Sequence, residues 1–158
     1  MWVETKQQII AILKTLTAPT STYYTVAESI PPDRSDHHGY LILVRPQRDT
    51  VQTPVSADQR THVLNFAIDV FSPQVLTGIT IVNEYRIEAY ADAITVLLER
   101  YPTLGDVATK RGLTGVRNTF VAGTQFQTPR PYPDGQQAQQ YYSCTVNLQV
   151  TFHRATGC

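Results

Sequence analysis

From Tyr142 to His153 the chain alternates without a break: Tyr142, Cys144, Val146, Leu148, Val150 and Phe152 are apolar or aromatic, and Ser143, Thr145, Asn147, Gln149, Thr151 and His153 are polar. Successive side chains of a strand point to opposite faces, so this period of two specifies a β-strand and excludes a helix. If most of the apolar set is buried, at about 1.5–3 kcal/mol for each large side chain, the strand contributes on the order of 10 kcal/mol before chain entropy is subtracted. It must therefore lie centrally. Its other face bears almost no formal charge but a row of hydroxyls and amides, which suits partial burial against another polar surface. Thr145, Asn147 and Gln149 are the first candidates for an interface.

A second alternating run, Val63 to Phe71, puts Leu64, Phe66, Ile68 and Val70 on one face and Asn65, Ala67, Asp69 and Phe71 on the other. Asp69 thus lies away from the apolar face, where it could pair with an arginine of a neighbouring strand or subunit. Tyr40-Leu-Ile-Leu-Val44, apolar on both faces, predicts an interior strand, and Tyr23 to Glu28 a short one. Residues 45–60, with Pro46 and Pro54, read as a long polar loop. Val116 to Phe126 reads as a strand interrupted by Gly123, followed by a turn-rich excursion over Thr128 to Gly135.

Two helices are expected. Ile9, Ile12, Leu13 and Leu16 follow the spacing of one helical face, with Thr5-x-x-Gln8 as a capping box and an end between Leu16 and Ala18, before Pro19. Ile87, Tyr90, Ala91, Ile94, Leu97, Leu98 and Tyr101 define a stronger stripe, with Asn83 as its N-cap, Glu84 in the first turn and Pro102 as its stop. The expected fold is one α+β domain over residues 1–158: a mixed, mainly antiparallel sheet with the N-terminal helix and the long amphipathic helix packed on it.

Thirteen basic residues balance thirteen acidic ones, which argues against a protein whose main partner is a phosphate backbone and favours self-association. Arginine outnumbers lysine ten to three, as suits burial at protein contacts. No stretch has the length of a membrane span and no signal peptide is recognisable, so the product is expected in the cytoplasm. Cys144 and Cys158 make no C-x-x-C site; the simplest reading is a reduced pair, with an intermolecular disulfide as the alternative.

Catalytic patterns are missing. Walker and Gly-x-Gly-x-x-Gly spacings and a Gly-x-Ser-x-Gly elbow are absent, and Cys144 points into the predicted core. His37-His38, with Asp33 and Asp36 nearby, matches no zinc spacing and reads as an exposed loop. Glu84 and Glu88 read as solvated helix surface. No enzyme activity, metal or cofactor is expected. Arg45, Arg48 and Arg60 flank the 45–60 segment, and in a ring with those loops inward they could line a passage for nucleic acid or meet an acidic partner; Arg130, in the later excursion, joins the interaction candidates.

The order helix, strand, strand, long loop, strand, long helix, strand, alternating strand resembles the tail-terminator (tail-completion) proteins of long-tailed bacteriophages. The residues that bear the likeness are Ile9-Ile-Ala-Ile-Leu13, Leu64-Asn-Phe-Ala-Ile-Asp-Val-Phe71, Ala89-Tyr-Ala-Asp-Ala-Ile-Thr-Val-Leu-Leu98 and Tyr142 to Phe152. The resemblance implies a homo-oligomer, a hexameric ring on the head-proximal end of the tail tube, in the virion at the head–tail junction after assembly in the host cytoplasm. Its partners would be the tail-tube protein and a head–tail connector or stopper, with transient contact to passing DNA. A stopper or tube subunit is the alternative within that class, and a small ligand-binding or hydrolytic domain, using a pocket that gathers His62, Asp69 and His153, the alternative outside it.

Overall fold

A computed structural model describes residues 1–20, 23–28, 39–51, 59–72, 80–106, 108–109, 111–131 and 140–155. They form α1 (Trp2–Leu13), β1 (Tyr24–Ala27), β2 (Tyr40–Val51), β3 (Gln59–Phe71), α2 (Thr80–Glu99), β4 (Val116–Pro131) and β5 (Gln140–Ala155). The strands make one mixed sheet in the order β1-β2-β3-β5-β4, with β1 parallel to β2 and every other pairing antiparallel. The protein is an α+β fold.

β5 fills the place between β3 and β4, so its inward side chains meet neighbours on both sides. Cys144, Val146, Leu148 and Val150 are at most 1% exposed. They share one core with Ile42 and Val44 of β2, Leu64, Phe66, Ile68 and Val70 of β3, Ile9, Ile12 and Leu13 of α1, and Ile87, Tyr90, Ile94 and Leu98 of α2. Both helices therefore cover the same face of the sheet. Aromatic contacts fix their seating: Trp2 meets Phe66 edge-on at 5.2 Å, and Tyr40 stacks on Tyr90 at 4.3 Å.

Several boundaries differ from the sequence reading for identifiable reasons. α1 starts at Trp2, so Thr5 is not a cap; it is buried inside the helix and satisfies its hydroxyl on the Met1 carbonyl one turn back. The helix ends at Leu13, and the Tyr24 hydroxyl closes that end, lying 3.2 Å from the Leu13 carbonyl and donating to the Leu16 carbonyl just beyond it at 2.5 Å. α2 starts at Thr80, three residues before Asn83, which is inside the helix and not its cap.

The largest correction concerns residues 45–60. They are not one loop: β2 continues through Pro46 to Val51 and β3 begins at Gln59, with 52–58 outside the described residues. Likewise β4 runs on to Pro131, where its backbone pairs with Gln140, so the turn-rich excursion begins as strand, with 132–139 outside the described residues. His37, His38, Asp33, Asp36 and Cys158 lie outside the described residues.

Candidate interaction face

Alternation that buries one set of side chains sends the other to the opposite side, where neither helix packs. That second face should be wet, yet Leu43, Ala67, Asp69, Ser143 and Thr145 are all at most 5% exposed. The register explains how Asp69 is satisfied there. Leu43, Asp69, Thr145 and Gln125 lie directly opposite one another across β2, β3, β5 and β4.

Within this layer the hydrogen bonds form a chain of donors that ends on Asp69. Ser143 Oγ donates to Gln127 Oε1 at 2.7 Å, and Thr145 Oγ donates to Asp69 Oδ1 at 2.6 Å. Gln127 Nε2 links the two pairs through a long contact of 3.5 Å to Thr145 Oγ. From the other side Arg45 Nε donates to Asp69 Oδ2 at 2.5 Å. The carboxylate thus collects donors from both neighbouring strands, which is what a buried anion requires. Arg45 keeps about half its side chain in solvent (48% exposed), so the pair is anchored inside and screened outside.

A β-bulge accounts for the placing of two arginines. The β2–β3 register slips between Pro46 and Arg48, so Arg45 stands opposite Ala67 and Arg48 opposite Asn65, both on the polar face. Without the extra residue, an odd and an even position would face opposite sides. β4 slips at the corresponding level, between Val121 and Gly123. Bulges raise local twist, and these two flank the uninterrupted β3 and β5. Between them lies a shallow concavity of about 440 Å³ lined by Gln47, Arg48, Asn65, Ala122, Asn147 and Gln149.

The structure therefore brings six of the sequence-derived residues onto one face: Arg45, Asp69 and Thr145 in the bonded layer, and Arg48, Asn147 and Gln149 in the concavity beside it. Arg60 is elsewhere, nine residues along β3 from Asp69, about 30 Å at ordinary strand rise, and opposite Arg154. Arg130 pairs through its backbone with Tyr141 near the far end of β4; its side chain is outside the description.

His62, Asp69 and His153 do not come together. His62 Nδ1 lies 2.8 Å from Asp49 Oδ2, His153 contacts the Thr61 hydroxyl at 3.4 Å on the opposite side of the sheet, and Asp69 is engaged by Arg45. Burial, aided by the nearby Asp69 charge, pushes the Cys144 thiol up to about 12, the reverse of an activated nucleophile. Among the described residues no cluster of His, Cys, Asp or Glu could hold a metal ion, and no helix is long and apolar enough to cross a membrane.

Several exposed apolar residues escaped the sequence reading, three of them on β4 and α2. Phe120 and Phe126 of the edge strand β4 are 60% and 56% exposed, and Val96 on the outer side of α2 is 50% exposed. Simple alternation could not have flagged both phenylalanines, because the slip between Val121 and Gly123 sets Phe120 opposite Gln149 and Phe126 opposite Cys144, on different faces. The same strand carries three register shifts, a device that blunts an edge against indiscriminate pairing.

What these features define is an α+β fold with a helix-covered face and a polar, concave, partly self-buried face. No family model matches the chain, and no curated protein matches it.

Proposed function

We propose that this chain is a structural subunit of the tail-terminator kind: it assembles as a ring on the head-proximal end of a phage tail tube, stops tube growth and offers a docking surface for the head–neck complex. The observation that supports this reading is the helix-free sheet face. Beside the Arg45–Asp69 pair and Arg48, it presents amides and hydroxyls, tied together by the Asp69 layer and curved by two bulges. Amides both donate and accept, so they can meet another polar surface without the desolvation cost of a charge. A wall of this kind is suited to contact, and capping needs only shape and contact: the ring covers the tube end and presents a different surface beyond it.

The test is incubation of the purified protein with growing tail tubes, followed by electron microscopy. Rings at one tube end and tubes of arrested length are expected. A chain that neither associates with itself nor binds tubes overturns the proposal, and long stacks formed by the chain alone would make it a tube subunit instead.

A further inference from the structure

The charge of this chain is balanced only in sum. α2 carries Glu84, Glu88, Asp92 and Glu99 against Arg86, while the strands carry Arg45, Arg48, Arg60, Arg117, Arg130 and Arg154 against Asp49 and Asp69. The helix layer is thus the acidic side of the molecule and the sheet the basic one.

Each side keeps an unfavourable like-charge arrangement. On α2, Glu88, Asp92 and Glu99 are exposed with Val96 among them, along one stripe that faces away from the sheet. Glu88 and Asp92 stand one turn apart, a spacing that costs a helix stability when the charges match. On the sheet, Arg60 of β3 lies directly opposite Arg154 of β5, and both are exposed. Like charges at opposed positions of an antiparallel pair, with Cβ atoms about 4.5–5.5 Å apart, repel. None of these five groups has an ion-pair partner among the described residues. Beside the acidic stripe runs a largely apolar groove of about 560 Å³ between α2 and the segment that follows α1, lined by Leu16, Ala89, Ala93, Val96 and Leu97 together with Asp92 and Arg100.

We propose that the Arg60–Arg154 pair of one copy docks on the Glu88–Asp92–Glu99 stripe of a second copy of this chain. The complementarity is of charge, two guanidinium groups against three carboxylates, and of surface: the aliphatic stems of the arginines lie along Val96 and the neighbouring groove. The two patches are different surfaces, so the contact is head-to-tail and leaves each copy with one patch for the next, as ring closure requires. This rests on the ring-forming reading above and names its subunit contact. A contact between two copies of α2 is disfavoured, because both helices are acidic.

The test exchanges charges. One variant carries Arg60→Glu and Arg154→Glu, the other Glu88→Arg and Asp92→Arg, all at exposed positions; circular dichroism confirms that each folds. Each variant alone should associate at least about tenfold more weakly than the parent in sedimentation velocity at low ionic strength. An equimolar mixture should recover association, since each copy again finds an opposite charge on both sides when the variants alternate round an even-numbered ring. Either variant associating like the parent, or a mixture that stays dissociated, overturns the contact. Loss of duplex DNA binding by the first variant without recovery in the mixture would assign the arginines to a phosphate backbone and also overturns it. Should a reversal prevent folding, Arg60→Gln with Arg154→Gln replaces it, and unchanged salt dependence of association counts against the contact. Parent protein that forms rings insensitive to these changes sinks this contact alone; parent protein that never forms rings, free or on tubes, sinks the functional reading itself.

Discussion

Asp69 is the residue on which the polar face depends, and its removal has a calculable signature. It is 3% exposed and accepts from Thr145 Oγ and Arg45 Nε. A hydrogen bond to a charged group contributes about 1.5–3 kcal/mol, and an ion pair with one partner half in solvent about 0.2–1 kcal/mol. Asp69→Ala removes both and leaves the Thr145 hydroxyl, itself 5% exposed, without its acceptor. Relief of the carboxylate's own desolvation offsets part of this. The net loss should be about 2–4 kcal/mol, or about 5–15 °C in melting temperature for a chain of this size.

Thr145→Val, nearly the same shape, withdraws the donor and leaves the carboxylate buried with Arg45 alone; it should cost about 1.5–3 kcal/mol. The discriminating measurement is the double-mutant cycle in urea. With donor and acceptor both replaced by apolar groups neither end of that bond is left buried without its partner, so the double variant should lose less than the summed single losses by at least about 1 kcal/mol. Strict additivity would mean that Asp69 and Thr145 do not depend on one another. The bonded layer would then be a coincidence of register, not a support of the face.

Three further outcomes follow from the same structure. In a Cys158→Ser background, Cys144 should resist a disulfide reagent at pH 9 in the folded protein and react at once in denaturant, because burial holds its thiol near 12. Folding stability should fall as pH rises from about 9 to 12: the thiol, ordinarily 9.0, and the Tyr40 hydroxyl, ordinarily 10.0 and also pushed up to about 12 by burial, ionise first in the unfolded chain and draw it open. Chemical denaturation across that range checks it, and a flat profile would refute it. Gly115→Ala should cost about 2 kcal/mol by thermal melting, because φ is +91° there and an added Cβ would stand 2.5 Å from the Phe152 ring; Phe152→Leu in the same chain should recover only the steric part.

Legibility in the sequence tracked burial. The β5 alternation, the α2 stripe from Ile87 to Leu98 and the inward set of β3 were all readable, because one buried face imposes a period on the residue types. Where strands project beyond the core the period vanishes. Arg45-Pro-Gln-Arg-Asp-Thr50 is exposed throughout, so nothing selects apolar residues there, and Pro46 imitates a loop signal although it sits beside a bulge, where a strand tolerates it. The register slip between Gln127 and Arg130 similarly admits Pro129 into β4. At the start of α2 the β-branched Thr80-Ile81-Val82 have modest helix propensity and suggest a connection, but the packed stripe that follows outweighs them.

The same contrast explains why only part of the candidate face could be seen beforehand. Asp69, Thr145, Asn147 and Gln149 follow from parity on strands that were already recognised. That Arg45 and Arg48 share their side, although an odd and an even position should not, depends on one extra residue in a stretch with no hydrophobic period. The bulge thereby adds a second arginine to the side that already holds the Arg45–Asp69 pair, and with the β4 slip it shapes the concavity. Deleting Gln47 should move Arg48 and all later β2 side chains to the other face while Arg45 stays bonded to Asp69. Stability should then change less than Asp69→Ala changes it, while the amide-lined wall loses its arginine and its curvature. Tube capping that survived this deletion would show that the concave wall is not the surface the function uses.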